Sequence, residues 1–119
     1  MGTVFILDNE EDILFVLKYW LENEGYDVHV FTNSNDMVRA LDKCMPDIML
    51  LDINLPGKVG REVCKMMRKE RLYDKPILHI SANRYLFDTA SITRADGFIA
   101  KPFNLKELTN VIDSFLYKT

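Results

Sequence analysis

Residues 3–26 read TVFILDNEEDILFVLKYWLENEGY. The first five, Thr3 to Leu7, are apolar and β-rich without alternation, which is the pattern of a strand covered on both faces, and they stop at the acidic Asp8. From residue 11 the period changes. Ile13, Leu14, Leu17, Trp20 and Leu21 recur at steps of three and four, predicting a helix over 11–24 that Gly25 ends. One strand followed by one amphipathic helix is half of a parallel β-α-β unit.

The same unit recurs along the chain. Short apolar runs at 28–31 (VHVF), 48–51 (IMLL), 77–80 (ILHI) and 98–100 (FIA) predict four more strands. Between them, a helix is expected from Asn35 to Cys44 with Met37, Val38 and Leu41 apolar, Ser34 as its cap and Pro46 beyond its end. Another is expected over Gly60 to Glu70 with Val63, Met66 and Met67 inward. Residues 84–94 are assigned a fourth helix despite the middling helix formers Thr89, Ser91, Ile92 and Thr93. In the last helix Asn104 and Glu107 make a capping-box pattern, and Leu105, Leu108, Ile112, Phe115 and Leu116 form the stripe. Strict β-α alternation implies an α/β fold, a doubly wound five-stranded parallel sheet flanked by five helices, in a single domain spanning 1–119.

Composition narrows the function. A formal charge of −3 gives no reason for attraction to phosphate backbones, so nucleic-acid binding is not expected. No apolar run approaches the roughly 18 to 20 residues that span a bilayer, and the start, MGTVFILDN, lacks the features of a signal peptide. Cys44 and Cys64 have no metal-binding or disulfide-framework spacing. The expectation is a cytoplasmic protein with no membrane partner and two structurally buried cysteines.

In an open parallel sheet, ligands bind beyond the carboxyl ends of the strands. Those ends deliver Asp8, Asn9 and Glu10 after the first strand, Asp52 after the third, Ser81 after the fourth and Lys101 with Pro102 after the fifth. Two carboxylates from neighbouring strands offer hard oxygens to magnesium, and a hydroxyl and an ammonium opposite them suit an anion. The combination fits phosphoryl transfer, in which the protein mainly positions and neutralises charge. Taken singly each residue has a plainer reading, since an Asp or Ser after a strand often caps the next helix. Their common edge is what favours chemistry.

The runs ILDNEEDI (6–13), IMLLDINLPG (48–57), PILHISA (76–82) and GFIAKPF (97–103) resemble the four signature segments of response-regulator receiver domains of two-component signalling, a CheY-like superfamily of flavodoxin-like topology. The spacing is family-like too: 44 residues from Asp8 to Asp52, 29 on to Ser81 and 20 on to Lys101. The resemblance implies that Asp52 accepts a phosphoryl group from a phosphohistidine on a histidine kinase or histidine phosphotransfer protein. It implies Mg2+ held by Asp8, Asn9, Asp52 and the backbone carbonyl of Asn54, and Lys101 paired with the phosphoryl oxygens. By the same resemblance Ser81 and Phe98 would occupy the switch positions, Asn54 and Asn83 would tune dephosphorylation, and the Lys101–Pro102 bond would be cis. The activity implied is self-catalysed transfer and slow autodephosphorylation rather than conventional turnover. Kinases would dock near Ile13, Leu14 and Leu17; outputs, whether a downstream effector or an attached output domain, would use the fourth and fifth helices with the fifth strand. A homodimer on activation is compatible with the family.

The sequence departs from the family at Asn9, where a second carboxylate is usual. One formal charge is lost from the metal site, and Glu10 either compensates or serves only the dipole of the first helix. Asn9 also motivates a different function: a receiver-like interaction domain that no longer depends on phosphorylation. A phosphatase of the haloacid-dehalogenase type would want DxD after the first strand, whereas Asp8 and Glu10 offer DxE. A flavodoxin would want a hydroxyl-rich phosphate loop where DNEED stands. His79 lies two residues from Ser81 on one strand, about 7 Å apart, and there is no GxSxG, so a core histidine is expected rather than a hydrolase base. Tyr85 and Phe87 are read either as core cover or as part of a partner face.

Overall fold

Each of the five apolar runs forms a strand: β1 (Thr3–Leu7), β2 (Asp27–Phe31), β3 (Ile48–Asp52), β4 (Ile77–Ser81) and β5 (Gly97–Ala100). The computed structural model describes residues 2–53, 59–82 and 94–117, without the Val59 side chain. Within them lie the helices α1 (Glu11–Asn23), α2 (Ser34–Ala40), α3 (Val59–Lys69) and α4 (Leu105–Leu116). The helix expected over 84–94, with Tyr85 and Phe87, lies outside the described residues apart from Arg94.

The strands make one sheet in the order β2-β1-β3-β4-β5, every pair parallel. Alternate residues of each strand enter different layers. Val4 and Ile6 join Leu50, Ile80, the α1 residues Leu14, Leu17 and Leu21, and the α4 residues Leu108 and Ile112 in one core cluster. Phe5 and Leu7 join Met49 and Leu51, Met37 of α2, and Val63, Cys64 and Met67 of α3 in the other. Burial on both faces is the physical reason that β1 and β3 read as unbroken apolar runs. Cys64 is buried and Cys44 packs half-buried against the same cluster, so both cysteines are structural here.

Local chemistry sets the helix ends. Gly25, at φ 100°, closes α1: its N–H bonds to Glu22 O at 3.1 Å and the Tyr26 N–H to Leu21 O at 3.0 Å, the paired bonds of a Schellman stop. The cap of α2 is Asn33, not Ser34; its Oδ1 accepts the Asp36 N–H at 2.9 Å and Ser34 is the first helical residue. The helix is also shorter than its periodicity suggested, ending at Ala40 with turns to Lys43. Asn104 caps α4 as expected, Oδ1 accepting the Glu107 N–H at 2.7 Å.

Two cross-links tie α1 and its exit to α4. Trp20 Nε1 donates to Thr109 Oγ1 at 2.7 Å, and the Tyr26 hydroxyl donates to Asp113. At the amino-terminal edge of the sheet, Arg68 near the end of α3 donates to the carbonyls of Tyr73, Lys75 and Arg94 and pairs with Asp96 at 2.9 Å. Asp96 in turn accepts the Ile77 N–H that opens β4. Neither arrangement has a periodic signature; both depend on folded proximity.

Candidate functional site

The order of winding reverses between β1 and β3, and this is the place where a doubly wound sheet leaves a crevice at its carboxyl edge. Asp8 follows β1, and Asp52 is the last residue of β3. Both are buried, with exposures of 1% and 2%. Lys101, one residue beyond β5, reaches across β4 and bonds to Asp8 Oδ2 at 3.0 Å and Asp52 Oδ2 at 3.3 Å. Residues remote in sequence thus share one ammonium.

Each side chain is held by its backbone. The Asp8 N–H donates to Phe31 O at 3.1 Å, extending the β1–β2 ladder by one bond. Asp8 Oδ1 accepts the Glu10 N–H at 2.8 Å, leaving Oδ2 for Lys101. The Lys101 N–H donates to Ser81 O at 2.8 Å, which anchors the lysine to the end of β4, and the Lys101–Pro102 bond is cis as the resemblance implied. Burial by itself would lower the Lys101 pKa; the hydrogen bond that Lys101 donates to Asp8 and the charges of Asp52 and Asp8 outweigh it, so the net shift is upward and the side chain is an ammonium.

Ser81 ends β4, fully buried, and Phe98 lies half-buried in β5. Asn9 is exposed next to Asp8. Asn54 and Asn83 lie outside the described residues. Glu10 precedes α1 without a side-chain capping bond, and its carboxylate stands 4.0 Å from Lys101 Nζ. His79 is fully buried in β4, as expected of a core histidine. Burial, and secondarily the charge of Arg61, hold its pKa down at about 4.

Residues 4–113 match the response regulator receiver domain. The chain belongs to that family. This receiver domain is similar to the response regulator TrrA from Thermotoga maritima, whose structure was determined in complex with Mg2+-BeF: 29% identity, 97% of this chain and 99% of that one covered, TM-score 0.84. It shares its fold with a two-component response regulator from Clostridium difficile (22% identity, 99% and 98% covered, TM-score 0.90). Chemotaxis protein CheY4 of Vibrio cholerae has the same fold (24% identity, 97% and 98% covered, TM-score 0.88).

The surface around the receiver's acidic site corrects one expectation. Leu14 and Leu17 are buried in the core, so little of either side chain is open to a docking partner. The outward ridge of α1 instead carries Phe15, 72% exposed, and Tyr19, 67% exposed, with Val16 beside them. Ile13 and Val16 line an apolar groove of about 590 Å³ that Lys101, Phe103 and Leu105 close on the far side. Their exposure was legible as a second apolar stripe on α1, Phe15 and Tyr19 being one turn apart. Among the described residues no helix is long and apolar enough to cross a membrane.

Proposed function

We propose that this receiver domain, one unit over 1–119, accepts a phosphoryl group on Asp52 in a two-component phosphorelay and changes partner binding in response. The observation that carries the reading is the buried Asp52 carboxylate held 3.3 Å from an ammonium that Asp8 also grips. Such a carboxylate is oriented for attack and sits where developing negative charge is already matched. In the step, an Asp52 Oδ forms a bond to phosphorus as the phosphorus–nitrogen bond of a phosphohistidine on a kinase or phosphotransfer protein breaks. The imidazole leaves with the bonding electron pair and takes up a proton. Lys101 moves its contacts from carboxylate to phosphoryl oxygens, the Ser81 hydroxyl hydrogen-bonds the new phosphate, and Phe98 packs inward behind it. Asn54 and Asn83 would tune the return of water to the acyl phosphate.

The donor set fits magnesium. Asp8 and Asp52 present hard carboxylate oxygens on one edge, while among the described residues no group of three Asp, Glu, His or Cys is placed to hold a metal ion. Magnesium takes one or two carboxylates plus neutral oxygens, which the Asn9 amide, the carbonyl of Asn54 and water would supply. When bound, the ion neutralises charge on the phosphoryl oxygens. The reading also places the protein in the cytoplasm, with a kinase or phosphotransfer protein docked over the α1 ridge, and with neither nucleic acid nor membrane as partner. Output would pass to an effector or output domain or to a second copy.

Incubation with acetyl phosphate and Mg2+ tests this. One added phosphoryl mass, mapped to Asp52 and absent from Asp52→Asn, is the expected result. An unmodified protein that also shows no spectral change with beryllofluoride would overturn it in favour of a phosphate-independent interaction domain, the reading that Asn9 motivates.

A further inference from the structure

The second residue of α3, Gly60, is buried against the end of β3, and no side chain fits there. A Cβ built on Gly60 would overlap the Asp52 carbonyl oxygen, lie 3.0 Å from Ile53 Cα and 3.1 Å from the Asp52 carbonyl carbon. All three are backbone atoms, so no rotamer change relieves the contact. The backbone of Gly60 is ordinary right-handed helix; space, not conformation, demands glycine. On its other side the same peptide is fixed: the Ile53 N–H donates to Ile80 O of β4 at 3.0 Å. The Asp52–Ile53 linkage is therefore clamped between α3 and β4, and its carbonyl carbon lies three bonds from the carboxylate carbon of the side chain that meets Lys101.

We propose that Gly60 is a positioning residue for the Asp52 nucleophile, its bare Cα letting α3 press the Asp52–Ile53 peptide into the place from which the carboxylate reaches Lys101. The proposal rests on the reading of Asp52 as phosphoacceptor. Gly97 provides the contrast: a Cβ there meets only the side-chain carbons Leu78 Cδ2 at 3.0 Å and Phe115 Cζ at 3.7 Å, together with no atom of the site. Both glycines open or nearly open an element, so replacing each by alanine separates the local clamp from a general loss of stability.

The experiment compares the wild-type protein, Gly60→Ala and Gly97→Ala. It measures the rate of Asp52 modification by acetyl phosphate with Mg2+, per folded molecule, and amide exchange at Ile53 and at Met49, whose N–H bonds to Pro76 O at the other end of β3. Gly60→Ala is expected to slow modification by roughly tenfold to a hundredfold. It should accelerate exchange at Ile53 more than at Met49, while Gly97→Ala modifies at the wild-type rate. A Gly60→Ala protein modified at the wild-type rate, or one in which Ile53 and Met49 accelerate equally, overturns the proposal, because global destabilisation alone produces that result. Should Gly60→Ala be unfolded in buffer, the three proteins are compared in a stabilising osmolyte that restores the fold. A wild-type protein that takes no phosphoryl group sinks the phosphoacceptor reading instead, and the Ile53-to-Met49 exchange contrast then decides the clamp by itself.

Discussion

Lys101 is the residue on which the charge balance of the site turns. With it, two buried carboxylates share one cation; without it, both lose that ammonium. Lys101→Met should therefore cost about 3 kcal/mol of stability in chelator, the scale for breaking a buried ion pair from one side. Asp52→Asn keeps the shape and leaves Lys101 paired with Asp8, so its cost should be below about 1 kcal/mol. Urea unfolding of the two variants in EDTA checks the asymmetry, and equal costs would contradict it. His79 supplies a pH dependence. Its folded pKa is about 4 against an ordinary 6.5, so between those values the unfolded chain binds a proton that the folded chain refuses. Its contribution is flat above about pH 6.5, and stability falls as the pH drops toward 4, by about 3 kcal/mol in all. From about pH 7 to about pH 5 the wild type should lose about 2 kcal/mol more than His79→Leu, measured by urea unfolding at both pH values. That His79 would be a core residue was legible from its apolar neighbours. The Glu10–Lys101 approach was not, because the reach of a side chain between segments 91 residues apart has no local pattern.

At the scale of elements, sequence signals were sharpest where a side chain bonds its own backbone. Asn104 and Gly25 act within a few residues, and both took the roles their positions suggested. Asn104→Ala should cost about 1 kcal/mol through the lost bond to the Glu107 N–H. Gly25→Ala should cost at least about 1 kcal/mol, since it forces a Cβ into a positive φ. Thermal unfolding of both variants checks this, and a Gly25→Ala protein as stable as the wild type would mean that α1 can end another way. The beginning of α2 shows where such reading fails. Asn33 and Ser34 are both good caps, and the choice between them depends on which residue takes extended backbone after β2. The length of α2 misled for a related reason: Leu41 and Cys44 pack against the core from a turn as well as they would from a helix.

For the whole molecule, the exposed ridge on α1 has a measurable consequence. Phe15 and Tyr19 leave large apolar surface in water beside the groove that ends at Lys101, and the proposed function brings a phosphohistidine protein to that edge. Phe15→Ser with Tyr19→Ser should slow phosphotransfer from the cognate kinase by about tenfold or more, as loss of interface aromatics does. Modification by acetyl phosphate and the urea midpoint should stay near wild type, because neither side chain belongs to the core. Equal loss with both phosphodonors would place the effect inside the site rather than on the docking surface. The amino-acid sequence by itself determined the elements, the parallel winding and the edge to which Asp8, Asp52, Ser81 and Lys101 come, because strand burial and helical periodicity are written in neighbouring residues and winding handedness follows from chirality. Tertiary structure alone decided that one ammonium would span both carboxylates, that Arg68 would gather the loops before β4 and β5, and that α3 would approach Asp52 closely enough to require a glycine. Those are contacts between segments distant along the chain, set by how layers pack, and no local pattern of residues encodes a distance across a sheet.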